Sequence, residues 1–307
     1  MLSILKNLSK VCVIGSIFIS SGLLAGERVI AFVQDDMSND FRKAQVMEGK
    51  IASAKYPNMK YLYSDAKGQT SLMITQFEKY MADGVDFIIL GTNDDRALNQ
   101  VLEKAYTKGQ KVAILDRGVT TDKYTVFLNS DNLKIGQIGG EYVAKMINNK
   151  GVVLLLEGIP AADVTKDRTK GFMSEMNKHK GIKVIKRVAN YQRRDAIIEM
   201  EKLLKSGVKI DAIFGESDSM ISGARTAMIK HNIDPASIIT VGCDYTSEAQ
   251  KEIQKGTQTG SVKFPLGTKQ TIDTIVKILD GKKVPKHIVI PVELVNKKNV
   301  NSVDPVF

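Results

Sequence analysis

Short apolar runs that stop abruptly at polar residues recur along this chain, and helical spacing fills the intervals between them. The sharpest pair lies between Lys111 and Asn132. Val112 to Leu115 ends in Asp116 and Arg117, and Tyr124 to Leu128 ends in Asn129, Ser130, Asp131 and Asn132. A short apolar run bounded by turn residues reads as a buried strand. Upstream, strands are predicted at Val29–Gln34, Met59–Tyr63 and Val85–Leu90, with helices over Asn39–Lys55, Ser71–Ala82 and Asp94–Lys108. After a helix from Leu133 to Asn148 the alternation restarts at Gly151. Strands Gly151–Glu157, Ile182–Val188, Ile210–Phe214, Ile238–Val241 and Gly260–Phe264 are interleaved with helices over Thr165–His179, Arg194–Lys205, Asp218–His231, Ser247–Lys255 and Gly267–Leu279. Ile288–Val295 reads as one extended tail.

Such alternation implies βαβ units with parallel sheets and right-handed crossovers. Two successive runs of it predict an α/β protein of two three-layer α/β/α lobes. No tether-like stretch separates the runs, so crossings are expected near Asn129, Lys263 and Pro285, forming a three-segment hinge. The first lobe is then 26–129 plus 264–286, and the second 130–263 plus 287–307.

The first 25 residues are of another kind. Lys6 and Lys10 precede the apolar stretch Val11 to Leu24, which ends at Leu23-Leu24-Ala25-Gly26. That is the pattern of a secretory signal peptide, too short for a membrane span, and it predicts a periplasmic protein. Beyond it one cysteine remains, Cys243, expected as a small buried apolar residue. The net charge of +10 comes from lysines spread along the chain, without a basic block, which points to a solvated surface and away from nucleic acid.

Catalytic patterns are poor. The three histidines, His179, His231 and His287, have no metal-ligand spacing, and neither a G-x-S-x-G elbow nor a phosphate-binding loop occurs. The glycines of Gly136-Gln137-Ile138-Gly139-Gly140 lie within a helical pattern, where close helix packing is their expected use. Asp163, Asp167 and Arg168 read as an exposed charge group at most. Asp94, Asp218 and Ser247 stand where helix N-caps belong. Asp116, Arg117 and Asp244 are not followed at once by a helix, and capping explains them less well.

Ligands of open α/β sheets sit beyond the carboxyl ends of the strands. Strand and helix ends here supply the cations Arg42, Arg168, Arg193 and Lys263, the acceptors Asp116 and Asp244, the amides Asn39 and Asn129, and the flat rings Phe41 and Tyr191. Guanidinium and carboxylate groups each present two donors or two acceptors side by side, which suits vicinal hydroxyls. Aromatic faces cover the C–H side of a sugar ring. The mix predicts a polyol site.

At these residues the chain resembles the periplasmic sugar-binding proteins of ABC importers, of the ribose- and galactofuranose-binding type, whose lobes are shared with LacI-type repressor cores. The likeness runs from Arg28 to about Val295. It is carried by Asn39-Asp40-Phe41-Arg42, Leu115-Asp116-Arg117, Ser130-Asp131-Asn132, Arg168-Thr169-Lys170-Gly171-Phe172, Glu216-Ser217-Asp218-Ser219-Met220 and Val241-Gly242-Cys243-Asp244. The resemblance implies that Asn39, Phe41, Arg42 and Asp116 meet the ligand from the first lobe. Arg168, Tyr191, Arg193, Ser217 and Asp244 would meet it from the second, with Lys263 at the hinge. Lys263 replaces a usual Gln, Ser217 a usual Asn, and Gly91 a usual first-lobe Asn. Asn-Asp-Phe-Arg replaces the Asn-Pro-Phe-Phe of ribose binders, and its Phe-Arg pair is closer to the Trp-Arg of galactofuranose-type members. The added cations Arg42 and Lys263 open an anionic sugar beside a furanose. The resemblance also implies an inner-membrane ABC permease as partner, and a monomer without cofactor or metal is expected. The alternative is a sensing module for a chemoreceptor or histidine kinase. A sugar hydrolase or isomerase lacks an acid–base pair.

Overall fold

The computed structural model describes residues 26–307; the leader expected in residues 1–25 lies outside them. In the first lobe β1 (Arg28–Gln34) leads to α1 (Asp40–Ser53), β2 (Met59–Asp65) to α2 (Thr70–Ala82), and β3 (Phe87–Gly91) to α3 (Asn99–Thr107), before β4 (Val112–Leu115) and β5 (Val126–Ser130). The second lobe opens with α4 (Asn132–Met146). It continues through β6 (Lys150–Glu157), α5 (Asp163–Met176), β7 (Gly181–Val188), α6 (Arg193–Lys205), β8 (Ala212–Gly215), α7 (Asp218–Lys230), β9 (Ile239–Asp244), α8 (Ser247–Lys255) and β10 (Gly260–Lys263). Then α9 (Thr268–Leu279) packs back on α1 and β4, and β11 (His287–Ile290) and β12 (Glu293–Asn296) close the fold.

The two sheets share one plan. The first has the order β11-β5-β4-β3-β1-β2, the second β12-β10-β9-β8-β6-β7. All pairings are parallel except β12 on β10, which is antiparallel. Central strands such as β3, β4 and β8 are buried along their whole length, because helices cover both faces. Each sheet accordingly separates two apolar clusters: Phe77, Leu102 and their neighbours from Phe32, Ile275 and theirs in the first lobe, and Met200 with Ile221 from Phe172 with Val241 in the second. In each lobe the chain reverses direction across the sheet between its first and third strands. That crevice is where ligands of such folds bind.

The expected third crossing is corrected. It does not lie near Pro285: β11 pairs with β5 in the first sheet and β12 with β10 in the second, so the chain changes lobes between Ile290 and Glu293. The run 288–295 is two strands, split at Pro291, whose missing N–H cannot join a ladder. Residues 287–290 therefore belong to the first lobe. The other crossings follow Ser130 and Lys263.

None of the three expected residues is the N-cap of its helix. Asp94 does cap a turn, accepting from Arg96 N (2.8 Å) and Ala97 N (3.0 Å), but α3 starts only at Asn99. Ser217, not Asp218, caps α7, and Thr246, not Ser247, caps α8. The glycine pattern in α4 does serve packing: a Cβ at Gly136 would strike the Arg168 carbonyl, and one at Gly171 the Leu133 carbonyl. Backbone-to-backbone approach of α4 and α5 is what fixes Arg168 in the second lobe.

Candidate ligand-binding cleft

The carboxyl ends of both sheets face each other across the hinge. From the first lobe, α1 brings Asn39, Phe41 and Arg42, and the turn after β4 brings Asp116 and Arg117. From the second, α5 brings Val164 and Arg168. The ends of β7, β8 and β9 bring Tyr191, Ser217 and Asp244, and the second crossing brings Phe264. Together they line a small cavity between the lobes. Eight of the eleven expected residues line it: Asn39, Phe41, Arg42, Asp116, Arg168, Tyr191, Ser217 and Asp244.

Backbone strain accompanies this convergence. Asp116 (φ 66°), Tyr191 (φ 59°) and Asp244 (φ 101°) all take left-handed conformations. For residues with a Cβ this costs on the order of 1–3 kcal/mol each, and it persists where the surroundings enforce it, as at binding sites. Tyr191 can lie where it does only because residue 158 is glycine; a Cβ there would enter the Tyr191 ring.

The first-lobe wall is a run of alternating charges. Arg42 bonds Asp116 (2.7 Å) and donates to Gln45 Oε1 (2.8 Å), while Arg117 bonds Asp35 (2.8 Å). Arg42 Nε and Asp35 Oδ1 lie 3.9 Å apart and make no hydrogen bond within the described residues. All four charged groups are buried. In the second lobe Arg168 donates to Asn132 Oδ1 (2.8 Å) and to the Glu216 carbonyl (2.6 Å), and it lies 4.5 Å from the centre of the Phe264 ring. Phe41 packs on Phe264 with centroids 4.8 Å apart.

Buried carboxyl groups gather behind the second wall. Burial pushes Glu216 up to about 7, against the pull of the Gly158 N–H, the Thr169 hydroxyl and Arg168. Asp244 and Asp218 are pushed up as well, first by burial; for Asp244 the neighbouring Asp218 charge adds to this. Asp218 accepts from Tyr245 N (2.7 Å), Thr246 N (3.1 Å), Ser261 Oγ (2.8 Å) and Gln258 Nε2 (2.9 Å), so it organises the end of β9 rather than capping α7.

The lobes touch on both rims of the cavity. Asn39 Nδ2 donates to Tyr191 O (2.9 Å), and Ser219 Oγ to Asp40 Oδ2 (3.1 Å). On the opposite rim Gly118 N donates to Asp163 Oδ2 (2.6 Å), and Lys166 pairs with Asp95 (2.5 Å). Asp163 is therefore an interlobe acceptor and not part of an exposed charge group.

Three expected residues are placed elsewhere. The Asn129 side chain turns to His287 Nε2 (2.7 Å) on the neighbouring strand, because alternation along β5 points it away from the cleft. Arg193 is a partly exposed rim residue that binds Ser222, Glu248 (2.9 Å) and Asp40 (3.4 Å). Lys263 points to Glu293 (3.9 Å) and the Tyr245 ring (6.0 Å). Arg117, which the end of its apolar run was expected to deliver to the cleft, lines the cavity too, and Val164 and Phe264 line it without having been expected there. The signal for Arg117 is a cation at the end of an apolar run; Val164 and Phe264 carried none.

The model of the periplasmic binding protein domain matches residues 30–283. The chain belongs to the periplasmic binding protein family. Among curated members, the ribose import binding protein of Bacillus subtilis (strain 168) is 30% identical over 253 residues, 82% of each chain. The galactofuranose-binding protein of Escherichia coli (strain K12) is 26% identical over 254 residues, 80% of each chain. Among solved structures, an ABC transporter solute binding protein from Bacillus halodurans C-125 with bound myo-inositol superposes with a TM-score of 0.85 at 26% identity, covering 90% of this chain and 96% of that one. The lobes, their common strand order and the hinge are those of a periplasmic binding protein.

Proposed function

We propose that this periplasmic binding protein captures a neutral monosaccharide or cyclic polyol between its lobes, after export through the leader in residues 1–25, and delivers it to an ABC permease. The observation that carries this reading is the convergence of polar and charged side chains from both lobes on one cavity. Arg42, Arg117 and Arg168 supply donors, and Asp116 and Asp244 supply acceptors. Phe41, Phe264 and Tyr191 supply apolar faces for C–H groups.

The two cations that opened the anionic option are both accounted for. Arg42 is committed to Asp116 at 2.7 Å, and Lys263 lies outside the cavity beside Glu293. Asp116 spends one oxygen on Arg42, so its other oxygen is the one free to accept a ligand hydroxyl. A hydroxyl missing from the ligand would leave such a buried group unpaired, which is the source of selectivity.

Capture follows from the hinge. A ligand that contacts both walls binds the closed form better than the open one, and closes the lobes by that difference in affinity. The closed pair of lobes is then the form a permease reads, as a monomer. No catalytic step is assigned: the relatives are binding proteins, and Asp116 is committed to structure by its Arg42 pair.

Thermal shift followed by titration calorimetry against D-ribose, D-allose, L-arabinose, D-fructose, myo-inositol and galacturonate tests this. At least one neutral member should bind with one-to-one stoichiometry. Binding of galacturonate alone would overturn neutrality, and no binding by any member of a broad polyol set would overturn capture.

A further inference from the structure

Phe307 lies outside the cavity and touches its wall from behind. After β12 the chain folds back over the second lobe. Val306 N donates to the Tyr245 carbonyl (2.9 Å), and the Phe307 carbonyl accepts from Ser247 N (2.6 Å) and Ser247 Oγ (2.9 Å) at the start of α8. These bonds aim the Phe307 ring at Phe41, with centroids 5.9 Å apart and planes at 73°, an edge-to-face pair. Phe41 belongs to α1 of the first lobe, yet its ring partners are Phe264 and Phe307, and the apolar cluster it joins is that of the second-lobe core. The ring is thus held between the ligand cavity on one side and Phe307 on the other. A groove floored by Ala44, Met47 and Phe307 runs along the same boundary.

We propose that Phe307 is a positioning residue for ligand capture. It backs Phe41 and adds an apolar contact between the lobes that exists only when they are closed, so it sets the closed fraction without meeting the ligand. Opening the hinge draws α1 away from the tail and exposes both rings to water, whereas the tail's own bonds to Tyr245 and Ser247 stay within the second lobe. A contact blind to the ligand shifts the open–closed balance by one factor for every ligand. A contact made with the ligand would change different ligands by different factors.

The ligand arm of the test rests on the sugar-capture reading; the distance arm does not. Phe307→Ala should weaken binding of each neutral ligand that the wild type accepts by a common factor, about three- to tenfold for the loss of one aromatic pair. Phe307→Leu should restore part of it, since the contact is apolar. Spin labels on Ile51→Cys in α1 and Ile229→Cys in α7, both exposed, report the distance between the lobes, and the buried Cys243 does not compete for label. Phe307→Ala should move the distance distribution toward longer separations. If no sugar binds, the capture reading fails and the distances alone decide the role of Phe307. An unchanged distribution, with and without sugar, overturns the proposal, and so do affinity losses that differ from ligand to ligand.

Discussion

The two walls of the cleft handle charge in opposite ways. On the first-lobe wall, guanidinium and carboxylate groups are bonded to each other: Arg42 to Asp116 and Arg117 to Asp35. On the second, among the described residues, Glu216, Asp218 and Asp244 form no salt bridge. Glu216 is held by the Gly158 N–H (2.8 Å) and the Thr169 hydroxyl (2.8 Å), and Arg168 by neutral acceptors. A paired wall sets each buried charge against an opposite one. An unpaired one leaves carboxyl groups under a burial penalty that protonation relieves. The first wall is therefore expected to hold its geometry through charge pairing, and the second to be the one that responds to protons.

The largest expected effects break the paired wall. Asp116→Ala or Asp35→Ala leaves a buried guanidinium without its carboxylate, and should cost about 3–5 kcal/mol of folding stability in urea unfolding. Arg168→Ala frees only neutral partners, and should cost folding clearly less than either. A loss for Arg168→Ala equal to that of Asp116→Ala would erase the distinction between the walls.

Binding should show the next largest effect, and there the walls should agree. Asp116→Ala and Arg168→Ala should each lose at least about 2 kcal/mol of ligand affinity, because each removes a cavity group whose ligand partner is then buried unpaired. Unchanged affinity in both, read by calorimetry on folded protein, would remove the cavity from the function.

The pH dependence of stability sharpens the contrast. Glu216 titrates near 7 in the folded protein, above the ordinary carboxylate value of 4.5, so between those values the folded state binds more protons than the unfolded state. Its contribution is complete below the unfolded value and is lost as pH rises through 7, with a slope of up to about 1.4 kcal/mol per pH unit. Asp218 and Asp244 act in the same direction. Urea midpoints should thus fall between about pH 5 and about pH 7.5, and Glu216→Gln should flatten part of that fall. An identical profile in the Gln variant would clear Glu216 of the role.

How much of this is legible in the sequence depends on what each feature rests on. The alternation of strand and helix is written in apolar patterning, so both lobes and two of the crossings can be read from it. The third crossing cannot: 288–295 looks continuous, and which sheet a strand joins is decided by hydrogen bonding across space. Asp116 and Asp244 are visible as acceptors at strand ends, but their left-handed backbone is not, since neither is the glycine that signals it. Asp35 and Arg117 are visible as charges and not as partners, being 82 positions apart. Side-chain direction misled most at Asn129, where the strand end is correctly found but the residue faces the wrong side of the pleat.

The smallest effects are expected outside the cavity, and they test whether the walls alone matter. Asn129→Ala removes a bond to His287, and Lys263→Ala a distant partner of Glu293; neither should move ligand affinity by more than about 0.5 kcal/mol. Arg193 differs because it bridges the lobes through Asp40, at 3.4 Å on a partly exposed rim. An exposed pair of this kind contributes about 0–1 kcal/mol and is screened by salt. Arg193→Ala should therefore weaken binding slightly in dilute buffer and not at all in concentrated salt, by the same factor for every ligand. A large loss that persisted in salt and fell on one ligand alone would put Arg193 in contact with that ligand, and would extend the second wall beyond the cavity.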